Sequence, residues 1–212
     1  MSALQELYPG LYNWVTVVQM EQMKVPLGGL YLVQGEHRVL IDPPLPEGGF
    51  EAIEAHGKPT AIVLTSDSHE RDSAKFQERY GVPVYIHESM GGKLEEVKDA
   101  RTFKGQGEDL VATGLQAIDL PGLEETALLL ATGGGLLLLG DAIVDMGEGP
   151  QPLPAQWVRN PSGYAEDLKK LNALNFAALW LSHGGLIKDG AKEKVYTVCK
   201  AQEAAIKAPS AT

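Results

Sequence analysis

The sequence predicts a mixed α/β fold in which two β-sheets lie between helices. Short apolar runs at 60–64 and 136–139 have the composition of buried strands. Amphipathic segments at 71–81 and 162–175 predict helices, the second with Ser162 as its N-cap. Strands and helices alternate in both halves of the chain, and this order favours two sheets covered by helices.

Length and composition are typical of one folded domain. The chain has 212 residues, of which 44% are hydrophobic, enough to bury a substantial core. We expect a single domain over residues 1–207 and a disordered tail at 208–212. The formal net charge of -10 argues against nucleic acid as a partner, because an acidic surface repels phosphate groups.

The cysteine content and the hydropathy pattern restrict the cellular context. The single cysteine, Cys199, excludes an intrachain disulfide and a cysteine-built zinc site, and its helical context predicts a core residue. We see no signal-peptide pattern, and the longest apolar run is too short to span a bilayer. We therefore expect a cytoplasmic protein that binds a small-molecule ligand or substrate and no membrane; a homo-oligomer is left open.

Polar residues follow apolar strands at comparable points in the two halves. Asp42 and the segment LTSDSHERD at 64–72 follow strands of the first half, and Asp141 and His183 follow strands of the second. In α/β architectures ligands bind where the carboxyl ends of strands and their loops bring polar groups together. These strand ends are therefore the candidate site. The other histidines, His37, His56 and His87, are expected at the surface.

The order of these motifs resembles that of the metallo-β-lactamase fold superfamily, and within it the glyoxalase II-like hydrolases. LIDPP, LTSDSHERD, LPGL, LLGD and LSHGG stand where the family has a strand ending in Asp, T-H-x-H-x-D-H, P-G-H, G-D and G-H-G. The resemblance covers nearly the whole chain and implies a four-layer αββα sandwich. It also implies a hydrolase in which zinc or iron lowers the pKa of a water molecule and polarises the substrate.

The metal-binding motif has lost much of its ligand set. With Thr65 in register, the four ligand positions of the family's second motif fall on Ser66, Ser68, Glu70 and Arg71. Serine is a poor zinc ligand, and arginine brings a positive charge to a cation site. Leu123 stands where the family's third motif has histidine, whereas Asp141 and His183 are intact.

A one-residue shift gives a second alignment of the same motif. It moves the four positions to Asp67, His69, Arg71 and Asp72. Two imidazoles and two carboxylates could then bind a single zinc, iron or manganese ion, from Asp67, His69, Asp141 and His183. Glu70 would be the catalytic base of a hydrolase acting on a small ester or thioester. The sequence does not choose between the two registers.

The competing hypothesis is a non-catalytic descendant of the fold without a metal. Its cleft would be closed by ion pairs, with Arg71 bound to Asp141 or Glu70, or would bind a small molecule or a protein without chemistry. His69 and Asp72 would then be ordinary residues at the start of a helix. Under both hypotheses the residues expected to line the pocket are Ser66, Ser68, Arg71, Asp72 and Leu123.

Overall fold

The computed structural model describes residues 4–20, 23–104, 110–112 and 114–207. The tail predicted at 208–212 lies outside the described residues. The first half of the chain forms one sheet, from Gln5–Tyr8 (β1), Leu11–Met20 (β2), Met23–Gln34 (β3), His37–Ile41 (β4), Ala61–Val63 (β5), Val84–His87 (β6) and Arg101–Phe103 (β7). Its strands lie in chain order, antiparallel from β1 to β4 and parallel from β4 to β7.

The second half forms a five-stranded sheet and a small hairpin. Its strands are Leu115–Leu120 (β8), Glu125–Leu130 (β9), Leu136–Leu139 (β10), Ile143–Val144 (β11), Gln151–Pro152 (β12), Ala178–Leu181 (β13) and Gly185–Ile187 (β14). The sheet order is β14-β13-β10-β9-β8, and β11 pairs with β12. Strands β10 and β13 are parallel, so the loops that follow them leave the sheet at the same edge.

Within the described residues, four α-helices accompany the sheets: Gly49–Glu54 (α1), Ser73–Tyr80 (α2), Pro161–Ala173 (α3) and Ala191–Lys207 (α4). The predicted helices at 71–81 and 162–175 correspond to α2 and α3. The N-cap prediction for α3 was wrong, because Asn160, not Ser162, caps it by accepting the Gly163 N–H at 3.0 Å. Pro161 at the first helical position lacks the N–H that would need a partner there.

Three apolar clusters hold these elements together. Helices α1 and α2 cover the first sheet through Ile53 and Phe76. Leu138 and Trp180 lie in a second cluster between the two sheets. On the other face of the second sheet, a third cluster packs that sheet against α3 and α4. Because successive strand residues point to opposite faces, each sheet contributes to two clusters. The mixed α/β prediction is confirmed.

Individual burial predictions had mixed outcomes. Cys199, on α4, is buried in the cluster between that helix and the second sheet, as predicted. His37 is exposed and His56 is partly exposed. The surface prediction for His87 was wrong: it is buried at the end of β6, with Nδ1 2.8 Å from Oγ of Ser89. Within the described ranges, no helix has both the length and the apolar composition needed to cross a bilayer.

Backbone hydrogen bonds join the two sheets at the edge where the candidate site lies. The N–H of Gly28 in β3 donates to the carbonyl of Ser182 after β13, at 2.8 Å. The N–H of Thr126 in β9 donates to the carbonyl of Thr65 after β5, at 2.7 Å. The strand ends of both halves of the chain are therefore fixed against each other.

Candidate metal centre

Three side chains with metal-binding capacity converge at this edge. His69 follows β5, Asp141 follows β10 and His183 follows β13, and each offers a ligand atom within 4.8 Å of the others. Nε2 of His69 and Nε2 of His183 each lie 3.2 Å from the same atom, Oδ1 of Asp141. The two imidazole rings are 5.6 Å apart and inclined at 64°.

The other nitrogen of each ring binds an acceptor inside the protein. Nδ1 of His183 lies 2.7 Å from the carbonyl of Pro26, and Nδ1 of His69 lies 2.9 Å from Oδ2 of Asp42. A carbonyl and a carboxylate accept only, so both Nδ1 atoms carry hydrogen. Each Nε2 then faces Asp141 with a lone pair unless it is protonated or binds a cation. This is the orientation that metal-binding histidines take in carboxylate–histidine–metal arrangements, so the donor set fits a metal ion.

Asp42 anchors His69 from beneath. Its Oδ1 accepts the N–H of Thr65 at 2.8 Å, and its Oδ2 accepts the Thr65 hydroxyl at 2.5 Å. Asp42 is fully buried and has a φ of 44°, a strained conformation for a residue with a side chain. Burial alone would raise the pKa of this carboxyl, but His69, Arg71 and Thr65 hold it below its usual value. A charged Asp42 therefore fixes the ring orientation of His69.

Opposing electrostatic effects act on His69 and Asp141. Burial and the nearby Arg71 disfavour the imidazolium, but Asp141 and Asp42 outweigh them and raise the pKa of His69 to about 9. Burial also disfavours the charged form of Asp141, yet His69 and His183 hold the pKa of that carboxyl well below its usual value. In the metal-free protein, a proton on His69 therefore compensates the charge of Asp141 near neutral pH.

Glu125, at the start of β9, supports the Asp141 loop. Its Oε1 accepts the N–H of Gly140 at 2.7 Å and its Oε2 accepts the N–H of Asp141 at 3.0 Å. Burial, with the charge of Asp141 added, raises the pKa of Glu125 to about 8. The sequence motifs did not point to this residue. Its one sequence signal is an acid at the first position of a mostly apolar strand.

Arg71 lies inside the protein rather than in solvent. Its Nη1 donates to the carbonyls of Gly28 at 2.6 Å and Asp42 at 2.8 Å, and its Nη2 donates to Oγ of Ser182 at 2.6 Å. The expected pairing with Asp141 or Glu70 is thus replaced by bonds to neutral oxygens. The backbone of Arg71 has a φ of 45°. Burial lowers the pKa of the guanidinium, and Asp42 and Asp141 oppose this effect through their charges.

The shifted register is only half supported by the positions of its residues. His69 joins Asp141 and His183, but the ligand group among the described residues does not include Asp67. Oδ1 of Asp67 accepts the N–H of Ser68 at 2.8 Å, and its Oδ2 lies 3.9 Å from Nζ of Lys93. Asp67 therefore faces the neighbouring loop, not the two histidines.

Glu70 and Asp72 both hold backbone segments. The carboxylate of Glu70 accepts the N–H groups of Glu95, Glu96 and Val97, so the general-base role predicted for it has no support from its contacts. Asp72 is the N-cap position of α2; its Oδ2 accepts the N–H of Leu45 at 2.7 Å and its Oδ1 binds Lys75 at 2.6 Å. The expectation of a helix-start acid at Asp72 agrees with this position.

A cleft of about 580 Å³ opens beside Asp141. Of the residues predicted to line the pocket, Ser66, Ser68 and Leu123 do so, and Asp67 also contributes. Arg71 and Asp72 are not part of this wall. Ser66 and Ser68 bind each other through their hydroxyl groups at 2.7 Å, next to His69 in the chain. The candidate metal centre therefore borders, through Asp141, a cavity large enough for a small molecule.

The fold is that of the metallo-β-lactamases. A metallo-β-lactamase from Erythrobacter litoralis has a similar structure, with 18% sequence identity and a TM-score of 0.74. The match covers 93% of this chain and 96% of that enzyme. For a metallo-β-lactamase from Pontibacter korlensis, the match covers 93% of this chain and 98% of that enzyme, at 16% identity and a TM-score of 0.75. For the metallo-β-lactamase FIM-1 from Pseudomonas aeruginosa, in its mono-zinc form, the match covers 94% of this chain and 96% of that enzyme, at 15% identity and a TM-score of 0.74.

No family model and no curated protein matches the sequence. The predicted resemblance to the metallo-β-lactamase fold superfamily is nevertheless confirmed at the level of the fold. At these identities the likeness concerns the backbone fold, and the chemistry depends on the side chains at the site.

Proposed function

We propose that the protein is a hydrolase of the metallo-β-lactamase fold that uses one metal ion, held by His69, Asp141 and His183. The observation that carries this proposal is the common orientation of the two imidazoles. Both use Nδ1–H internally and direct Nε2 at the same oxygen of Asp141, at 3.2 Å. An arrangement of two imidazole nitrogens and one carboxylate oxygen suits zinc and also suits iron or manganese.

The ligand count supports a single catalytic ion. Three protein ligands leave a coordination position for water or substrate, as in catalytic zinc sites. When bound, such an ion supplies Lewis acidity and a water molecule of lowered pKa. A second ion would need ligands that Ser66, Ser68 and Leu123 do not provide. Arg71 also places a buried positive charge beside Asp42 and Asp141, which disfavours a further cation.

The protein's own residues would then orient the metal ligands and the substrate. Asp42 and the carbonyl of Pro26 hold the two rings, and Glu125 holds the backbone of Asp141. The cleft would admit a small ester or thioester and place its carbonyl group near the ligand atoms. We do not assign a base role to Glu70, because its carboxylate is occupied by three backbone N–H groups.

The second candidate function is a metal-free binding protein. It is favoured by the ion pair between a protonated His69 and Asp141, since this pair satisfies the buried charges without any ion. In this case the cleft binds a small molecule or a protein without chemistry. The two candidates differ in whether the folded protein takes up metal.

Metal content measured by plasma mass spectrometry on untagged protein, purified without chelator, separates the candidates. The hydrolase proposal requires a near-stoichiometric ion that chelator removes, with a fall in melting temperature. His183→Ala should lose both the ion and esterase or thioesterase activity, whereas the matched variant Asp67→Asn should keep the ion. A folded protein that takes up no zinc, iron or manganese after reloading would leave the metal-free candidate.

A further inference from the structure

We propose that the cleft beside the candidate metal centre selects uncharged esters or thioesters whose acyl group carries an aromatic or aliphatic body. That body would pack against Trp157, with Leu123 and Leu153 beside it. This assignment rests on the proposed hydrolase function and adds the charge and shape of the substrate. The shape of the cleft, the exposure of Trp157 and the pairing of nearby charges support it.

The cleft has the volume for such a substrate. Its volume of about 580 Å³ lies between the loops that follow β5, β8 and β10 and the turn at 155–157. Of the three candidate ligands, Asp141 lines its wall, so a molecule in the cleft meets the candidate metal centre through this carboxylate. Cavities of several hundred Å³ are typical of small-molecule sites. The substrate body therefore has room on the side of the centre that faces Trp157.

Trp157 offers an apolar surface that the protein itself does not cover. Half of its surface is exposed (50%), although it lines the cleft. The other exposed large apolar residues in the described ranges are Val15, Val17, Met146 and Tyr196, and none of these lines the cleft. An aromatic or aliphatic group stacked on the indole would bury this surface with a favourable free energy.

The turn that carries Trp157 is held by its own backbone. The N–H of Trp157 donates to the carbonyl of Pro154 at 2.9 Å, and that of Val158 to the carbonyl of Ala155 at 3.2 Å. Pro154 precedes the turn with φ fixed by its ring. The indole is thus presented from a constrained segment, which lowers the entropy cost of binding against it.

The charges around the cleft disfavour an anionic substrate body. Arg159 is the cation on the described wall, and it pairs with Glu124 at 3.4 Å. Lys93, at the adjoining mouth, pairs with Glu124 at 2.8 Å and lies 3.9 Å from Asp67. An anionic group would have to displace one of these pairs and would meet the carboxylates of Asp67 and Glu124. A neutral group meets neither cost.

Three p-nitrophenyl esters test the proposal on the zinc-loaded protein: the phenylacetate, the acetate and the anionic hydrogen succinate. We expect kcat/KM for the phenylacetate to exceed that for the hydrogen succinate by about tenfold or more. Trp157→Ala should raise KM, with a larger loss for the phenylacetate than for the acetate. Tyr196→Ala, which removes an exposed aromatic side chain on α4, is the matched control. It should leave KM for both the phenylacetate and the acetate unchanged. Glu124→Gln frees Lys93 and Arg159, so it should raise the rate on the hydrogen succinate several-fold.

Calorimetric titration with phenylacetamide, which resists hydrolysis, separates failure of the cleft assignment from failure of the hydrolase proposal. Binding that Trp157→Ala abolishes, without cleavage of any ester, would support the cleft assignment and remove the hydrolase. Cleavage with equal kcat/KM for the neutral and anionic esters, or with no effect of Trp157→Ala, would overturn the cleft assignment and keep the hydrolase. Absence of phenylacetamide binding to the wild type would also overturn it.

Discussion

Oε2 of Glu125 accepts a hydrogen bond from the backbone N–H of Asp141 at 3.0 Å, so a buried acid holds a candidate metal ligand from behind. The other oxygen accepts the N–H of Gly140 at 2.7 Å. These two bonds fix the turn after β10 and hence the direction of the Asp141 carboxylate. The geometry of the candidate metal centre therefore depends on a residue that is not itself among the three ligands.

Replacement of Glu125 by alanine should lower the free energy of unfolding by about 2–4 kcal/mol, because two buried N–H groups lose their acceptor. Glu125→Gln should cost less, since its single amide oxygen can still accept one of the two bonds. Guanidinium chloride denaturation measures both. Glu166→Gln on the surface of α3 is the control, and an unchanged midpoint for Glu125→Ala would show that the two bonds contribute nothing.

Gly140 is a second structural requirement of the site. A Cβ at this position would lie 2.6 Å from Oγ1 of Thr65, 2.9 Å from Oε1 of Glu125 and 3.1 Å from Cε1 of His69. Gly140→Ala should therefore displace His69 and weaken zinc binding by about tenfold or more, with a stability loss of about 1–3 kcal/mol. Competition with a chelating dye gives the affinity. Gly92→Ala, which meets nothing within 4 Å, is the control; equal affinities would contradict the prediction.

Arg71 should be a stability determinant. Its replacement by methionine, which keeps much of the side-chain volume, leaves the carbonyls of Gly28 and Asp42 without their guanidinium donor. We expect a loss of about 2–4 kcal/mol in chemical denaturation. Arg71→Lys should recover part of this loss, because an ammonium keeps the charge but not the planar fork of donors. Arg79→Ala, at an exposed pair with Glu54, is the control, and a similar small effect for Arg71→Met would refute the assignment.

The sequence predicted the parts of the site that depend on strand order. Asp141 and His183 follow apolar strands, and because β10 and β13 are parallel their loops meet at one edge of the sheet. The 64–72 segment was harder, since its residues form a 3₁₀ turn at Asp67–His69. Residues two apart on such a turn point in different directions, because each residue advances by a third of a turn. His69 therefore faces the site while Asp67 faces Lys93.

Glu125 and the contacts of Arg71 could not be predicted, because both depend on contacts between distant parts of the chain. Glu125 reaches the Asp141 loop through the antiparallel pairing of β9 with β10. Arg71 contacts Ser182 across 111 residues. Both contacts depend on how the strands pair and the two sheets pack, and neither leaves a local periodicity in the sequence. An acid and an arginine next to apolar strands are also common as solvated surface residues.

The stability of the metal-free protein should fall as the pH rises from about 6 to 9. The pKa of His69 is about 9 in the folded protein against an ordinary value of 6.5. Its stabilising effect is therefore complete below pH 6.5 and is lost as the pH passes 9. Glu125, with a pKa of about 8 against 4.5, acts in the same direction, since its neutral form is favoured in the folded state. Denaturation midpoints in chelator at several pH values measure the slope.

His69→Gln is the test of which group causes this slope. This substitution should remove the decline in stability that His69 causes between pH 6.5 and 9. The decline that Glu125 contributes should remain. Between pH 6.5 and 9, the loss of unfolding free energy in the wild type should exceed that in the variant by roughly 3 kcal/mol at most, as a pKa shift of this size allows. Excess zinc should oppose the decline in the wild type, because metal and proton compete for the same Nε2. A wild-type stability that rises from pH 6 to 9 in chelator would show that His69 is not protonated against Asp141 and would remove the ion pair from the metal-free site.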